Sequence, residues 1–486
     1  MKHSISFFLS IILILSSPAF GTTLQNNLDY FSSQGGGVFT LENKTYSGPI
    51  TIPSNVSLKG SGQSIISCAG QSGNTQACVL TQGTALTLLG TTTSTLSKGD
   101  RAVPISATPT LSANDLVIIY DPSDSSYSAF RTYYRAGEFA TVNSVSGNNI
   151  NLVGGIKSDE SYVSGINIYH SSAPYSGSIK NIEIIGDSGA FASLEITDGR
   201  NVRLEDLKVS DSGYAAILMK RCYDCTVDHV EALKYLPDTM GTSYGIVLAN
   251  SQNISITGST MIGDRHGFTC GGDSDIGSVP SRFITISNSR MENLNGLPGI
   301  GGFDLHGNCE YVSVTNSFMD SISMAGNHNS ILNSIVIGDH PINVYFSEMS
   351  GFDFRFEGND FTTNFDSVRG RGLFFDIGGN NIPMDGRTKQ GGRLIIRGNK
   401  FKSNVSSTNP GIKIYNRGAI QTFLIEISDN EFIQDTNSLA NSVLIRNIGV
   451  TPPGTPFAVV RYVNNNDSGW APSIEGTTKT INTGNY

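Results

Sequence analysis

Phe354-Arg355-Phe356-Glu357-Gly358-Asn359-Asp360-Phe361, Leu394-Ile395-Ile396-Arg397-Gly398-Asn399-Lys400-Phe401 and Ile425-Glu426-Ile427-Ser428-Asp429-Asn430-Glu431-Phe432 repeat one pattern. Apolar residues flank a single residue, a polar step follows, then Gly or Asn, then another apolar residue. Shorter copies precede them at Ile254-Ser255-Ile256-Thr257-Gly258, Ile284-Thr285-Ile286-Ser287-Asn288 and Val312-Ser313-Val314-Thr315-Asn316, with looser ones near Ile182, Val202 and Val227. The spacing is irregular, roughly 20 to 40 residues, as in repeat architectures whose loops vary in length. Alternation buries one face of a short strand, and Asn or Gly supplies the bend into the next sheet. One such coil cannot bury its own apolar face, so coils stack and share a continuous core. The pattern predicts an all-β parallel β-helix with its main coils over 176–440. An antiparallel sandwich would need close hairpin signals between partner strands, and these are scarce.

Composition agrees. Only 15% of the 486 residues are charged, Gly numbers 54, and there is a single Trp, which disfavours coiled coils and helix bundles. The 38% hydrophobic content supports a long core and argues against disorder. With 32 Lys and Arg against 41 Asp and Glu, the net charge of −9 disfavours sequence-independent nucleic-acid binding. A few local cations would still suffice for an acidic glycan.

Lys2 and His3 precede an apolar run from Ile5 to Leu15 and then Ser16-Ser17-Pro18-Ala19-Phe20-Gly21. This reads as a cleavable export signal over 1–21, too short to span a bilayer. The expectation is a secreted or periplasmic protein with no membrane span after cleavage. In that setting six cysteines form an even set. Cys68 and Cys78 suit a small loop, Cys270 and Cys309 sit on successive repeats and suit a staple, and Cys222-x-x-Cys225 reads as a tight disulfide or a redox pair. No partner Cys-x-x-Cys supports a zinc site.

The ends and one interruption complete the layout. Leu24, Leu28 and Phe31 have helical spacing, so a short amphipathic helix is expected to cap the first coils within 22–91. Gly35-Gly36-Gly37-Val38-Phe39 and the run from Gly48 to Gly62 follow. Together these segments resemble the N-terminal cap and first coils of the pectate-lyase-like superfamily, which includes polysaccharide lyases and phage tail depolymerases. The resemblance implies a right-handed helix. Residues 92–175 leave the repeat, and Ser146-Gly147-Asn148-Asn149 between alternating runs indicates a small β insertion. It resembles one common in tail-type members, with a packing role expected. Pro452, Pro453, Pro456 and the end after Trp470 suggest a final cap and tail over 441–486.

Three segments carry polar groups that turns do not require: Thr242-Ser243-Tyr244, Gly263-Asp264-Arg265-His266-Gly267 and Gly301-Gly302-Phe303-Asp304-Leu305-His306. Coils stack about 4.8 Å apart, so equivalent positions become neighbours, and Asp304 and His306 point the same way along a strand. An Arg-His step followed by Phe-Asp-x-His resembles a pattern of the tail depolymerases. A uronate lyase needs a cation on the carboxylate, a base for the adjacent proton and an acid for the leaving oxygen. Arg265 suits the first role, His266 or His306 the second, with Asp304 or Asp264 orienting the ring and Tyr244 as the acid. Lys220 and Arg221 extend a substrate subsite. The plainer readings are a His bound to a backbone carbonyl, an Asp304 turn cap and an Arg265 intercoil salt bridge.

The expected function is β-elimination on an acidic polysaccharide. A glycoside hydrolase using a pair among Asp264, Asp273, Asp275 and Asp304 is the alternative, although the Asn-Thr-Asp and Asp-Asp steps of polygalacturonase-like proteins are absent. Noncatalytic glycan binding or adhesion is a third reading. Gly271-Gly272-Asp273-Ser274-Asp275 also has the composition of a Ca²⁺ loop, with Asp273 and Asp275 as ligands. His328 and His340 read as structural. The expected partner is the polysaccharide, and the state monomer or homotrimer.

Overall fold

The computed structural model describes residues 23–70, 76–123, 132–159, 161–234, 243–294, 301–338, 342–345, 352–363, 373–377, 392–403, 411–416, 423–434, 442–447, 458–467, 472–474 and 479–483. The export signal over 1–21, His340, the three late prolines and Trp470 lie outside them. Helix Leu24–Ser33 is the first described element, with Thr23 accepting from the Asn26 amide at its start. It buries Leu24 and Leu28 over the first coils.

Two long parallel sheets, of 24 and 13 strands among the described residues, run the length of the protein. This is the right-handed parallel β-helix. Register makes the repeat visible: Leu204, Val227, Ile256, Ile286, Val314, Ile331, Phe356, Ile396, Ile427 and Tyr462 pair in succession as one inward column. All are buried in a single core. Phe361, Phe401 and Phe432 form a second column, their rings stacked at 5.1 and 5.0 Å.

The Asn and Gly steps sit at the corners. Gly258, Asn288, Asn316, Asn333, Gly358, Gly398, Asp429 and Asn464 all have φ between 48° and 66°, the left-handed region these residue types tolerate. The next residue in each coil turns inward and accepts a bond from the preceding coil. Ser259, Ser289, Ser317 and Ser334 do so by hydroxyl, and Asn359, Asn399, Asn430 and Asn465 by carboxamide. Asn399 Oδ1 accepts from the Asn359 amide and side chain at 2.9 Å each, while its Nδ2 donates to Phe356 O and Asn430 Oδ1. Asn399→Leu keeps the volume but strands these buried groups. We expect a loss of about 3 kcal/mol, read as a lower denaturant midpoint.

Strands from Thr87 to Ser171 form a separate six-stranded sheet whose described pairings are antiparallel, with its own core of Leu96, Val103, Ile119, Val142, Ile150 and Ile168. It packs on the helix through Leu116, Ile118, Tyr120 and Phe139 against Tyr223 and Val279. Buried Arg282 reaches across this joint to Gly137 O at 3.2 Å and to Glu138, while holding Glu310 at 2.7 Å.

Two disulfides join Cys68 to Cys78 and Cys270 to Cys309. The expectation for Cys222 and Cys225 is corrected: both are free thiols. They are almost wholly buried in the coil core, where Cys222 Sγ lies 3.5 Å from Ile196 O. Burial pushes the Cys222 thiol up, so it packs as a small apolar residue rather than a reactive one.

Candidate active site

The site is assembled on the 13-stranded sheet by register. Strand Tyr244–Ala249 pairs with His266–Gly271, which pairs with Phe303–Leu305. Phe268, Cys270, Phe303 and Leu305 turn inward, so Thr269 and Asp304 face outward as direct neighbours. His306 follows at the strand's end.

Asp304 is the hub. Its Oδ2 accepts from Thr269 Oγ1 at 2.8 Å, lies 3.0 Å from His306 Nε2 and is 3.8 Å from His266 Nε2. Burial opposes its ionisation, but the His266 and His306 charges and the hydrogen bonds from His306 and Thr269 outweigh that. Its carboxyl is held far below the usual range. His306 keeps about a quarter of its side chain exposed, against 5% for His266.

His266 fits the plainer reading. Its Nδ1 faces the Gly301 carbonyl, and its ring stacks on Tyr244 with centroids 5.7 Å apart. Tyr244 is itself buried and meets Tyr214 edge-on, so its ring acts as a wall. Burial lowers the pKa of His266, partly offset by Asp304 and the Gly301 bond. The unfolded chain therefore binds a proton that the native state refuses just below about pH 6.5. Stability rises with pH through that window. Relative to His266→Gln, the native protein should lose thermal stability on acidification below about pH 6.5; parallel pH profiles of the two proteins would exclude this.

Arg265 lies at the rim, its amide bonded to Ser243 O and its charge reaching His266 and Tyr214. Asp264 is buried, and among the described residues no donor reaches its Oδ2. A Cβ on Gly271 would come within 3.0 Å of His306 Nδ1, so glycine clears the space beside this nitrogen. Gly271→Ala should displace the ring and reduce turnover about tenfold with stability nearly unchanged, checked by kinetics alongside a melt.

Two residues that the sequence reading passed over belong to this neighbourhood. Thr269 lacks any motif and is found only through its register with Asp304. Asp320 accepts from the Asn293 and Gly302 amides at 2.5 and 2.9 Å and from Ser321 Oγ. It thereby fixes the backbone whose Gly301 carbonyl meets His266. Burial, with Glu292 adding to it, outweighs these bonds and leaves its carboxyl pushed up to about 6.

The remaining expected residues form a separate ion network. Lys220 Nζ contacts Asp273 at 2.5 Å and also Asp275, and Arg221 holds Asp198 through two bonds of 2.7 and 2.9 Å. The subsite expected of Lys220 and Arg221 is thus taken by protein carboxylates. The Ca²⁺ expectation for Asp273 and Asp275 meets the same finding, since their charge is matched by these two cations. Among the described residues no group of three or more His, Cys, Asp or Glu is arranged to hold a metal.

A family model described as Gp49, pectin lyase-like, matches residues 210–450, and one described as tailspike protein-like, Ig-like domain, matches 80–171. No curated protein matches. The solved tailspike gp49 of Pseudomonas phage LKA1 is similar at 25% identity and a TM-score of 0.77, over 95% of this chain and 75% of that one. The gp61 tailspike of Pseudomonas phage phi297 aligns at 19% identity and a TM-score of 0.68, over 89% and 74%. The Gp54 tailspike of Acinetobacter baumannii bacteriophage AP22, solved with a capsular saccharide, aligns at 18% and 0.60, over 91% and 74%.

Proposed function

Because the chain belongs to the pectate-lyase-like superfamily, and has a β-helix of the tailspike type, we propose that it is an extracytoplasmic protein that cleaves an acidic polysaccharide by β-elimination. The observation that carries this reading is the partly exposed His306 held by buried, ionised Asp304 at 3.0 Å. Asp304 takes the Nε2–H, which leaves Nδ1 as the basic atom, beside Gly271, where any side chain would crowd it. In this reading Nδ1 removes the proton beside the uronate carboxylate while Arg265 holds that carboxylate and offsets the charge that develops. The resulting imidazolium returns the proton to the leaving oxygen, so one histidine serves both steps. No metal is called on. The export signal over 1–21 is part of the same proposal, as delivery to a surface glycan.

A hydrolase is the second reading: Asp320, bonded to the Gly302 amide next to the Gly301 carbonyl that meets His266, has its carboxyl pushed up to about 6 while Asp304 stays ionised, the two protonation states that an acid and its partner need. Incubation with a panel of uronate polymers separates the readings. Elimination yields an unsaturated, ultraviolet-absorbing sugar at each new non-reducing end. New reducing ends without that absorbance would transfer the assignment to hydrolysis, and binding without new ends would leave an adhesin.

A further inference from the structure

Around the corner from the site, three outward aromatic side chains follow one another up the other sheet: Phe283, Tyr311 and His328. Each has left-handed backbone, with φ of 58°, 55° and 55°, a costly conformation for Phe and Tyr. Their rings stack at 5.0 and 4.4 Å. In the two preceding coils the equivalent bulge positions are Asp224 and Asn253, which suit that backbone and bond each other. The aromatic members begin where the β insertion arrives. Lys157 lies 5.3 Å over the Phe283 ring, and the Tyr311 hydroxyl donates to Asp159.

His328 bridges the two bodies. Its Nε2 is 3.1 Å from Asp159 Oδ2 of the insertion, and its Nδ1 is 3.3 Å from Asp353 Oδ2 of the next coil. Neutral imidazole has one N–H and one lone pair, so it can satisfy only one of these carboxylates and points a lone pair at the other. Only the imidazolium donates to both. The carboxylates also have permanent cations of their own: Lys98 at 2.6 Å from Asp159, and Arg393 at 2.9 and 3.1 Å from Asp353. Tyr311 covers the ring face, and its neighbour Glu310 is committed to Arg282. Loss of the ring proton therefore leaves each carboxylate paired within the network and makes the two compete for the one remaining N–H, which weakens the His328 link to the insertion while the Tyr311 and Arg282 bonds stay.

We propose that His328 is a proton-operated clamp on the β insertion, tight when the ring is charged and loosened when it is neutral. Loosening matters for the site. The insertion packs on Val279, in the segment that leaves strand His266–Gly271 beside His306.

The test is hydrogen exchange of the full-length protein, corrected for the intrinsic pH dependence of exchange, followed at insertion residues 155–165. Protection there should fall about tenfold between about pH 5 and 8, the range in which histidine changes charge. His328→Asn keeps a residue that tolerates the left-handed backbone and should flatten the profile at its high-pH level. Asp353→Asn provides an amide donor for the neutral ring, so it should flatten the profile while protection stays high. A slope in His328→Asn equal to that of the native protein, or a flat native profile, would overturn the clamp.

Discussion

Replacing His306 by Ala is expected to abolish cleavage, lowering turnover by about 10²- to 10⁴-fold, the usual worth of a positioned general base. The side chain is partly exposed, but its loss takes one donor from buried Asp304, so the fold should lose about 1–3 kcal/mol. Asp304→Asn is the sharper control. Asn presents an N–H or a carbonyl where two histidines and Thr269 now meet an ionised oxygen, so the tautomer of His306 is no longer enforced. Its turnover should fall comparably, with binding of the polymer retained. Rates are read from the product absorbance, and folding from a thermal melt of each variant. A His306→Ala protein cleaving within about threefold of the parent would remove this histidine from the chemistry.

Arg282→Leu should be the most destabilising single change at the joint between insertion and helix. The guanidinium is buried with Glu310 at 2.7 Å, Glu138 at 4.0 Å and Gly137 O. Burial acts against its charge, but Glu310, Tyr162 and Glu138 raise its pKa well beyond the ordinary arginine value. Taking it away leaves two carboxylates facing low dielectric without their cation. Removing one member of such a buried set costs about 3–5 kcal/mol. Burial already raises Glu138, despite the Lys157 and Ser158 amides that bond it, so acidification relieves its unpaired charge. The destabilisation should therefore be largest at alkaline pH and shrink on acidification. Adding Glu138→Gln should recover part of the loss. Denaturant titration of single and double variants reads this directly, and an unchanged midpoint for Arg282→Leu would show that the joint is held by its apolar contacts alone.

Legibility divides along the same lines. Alternation in Ile254-Ser255-Ile256 and the left-handed corners at Gly258 or Asn288 are properties of a few consecutive residues, so the β-helix could be read from them. Cys270 and Cys309, on successive repeats, were readable for the same reason. Cys222 and Cys225 were not, because whether a close pair oxidises or packs depends on which way each side chain turns. Lys220 and Arg221 looked available as isolated cations, yet the chain returns Asp273 and Asp275 to them some fifty residues later.

Composition, periodicity and corner residues thus dictate a stacked β coil, because each rests on local backbone preference and on the need to bury one face. Which outward groups meet is another matter. The approach of Thr269, His266 and His306 to Asp304, the placement of Asp320 beneath Gly301, and the seating of the insertion on Arg282 and His328 all depend on register between distant segments. That register is set by loop lengths and by the packing of the whole stack, information that no short window of residues contains.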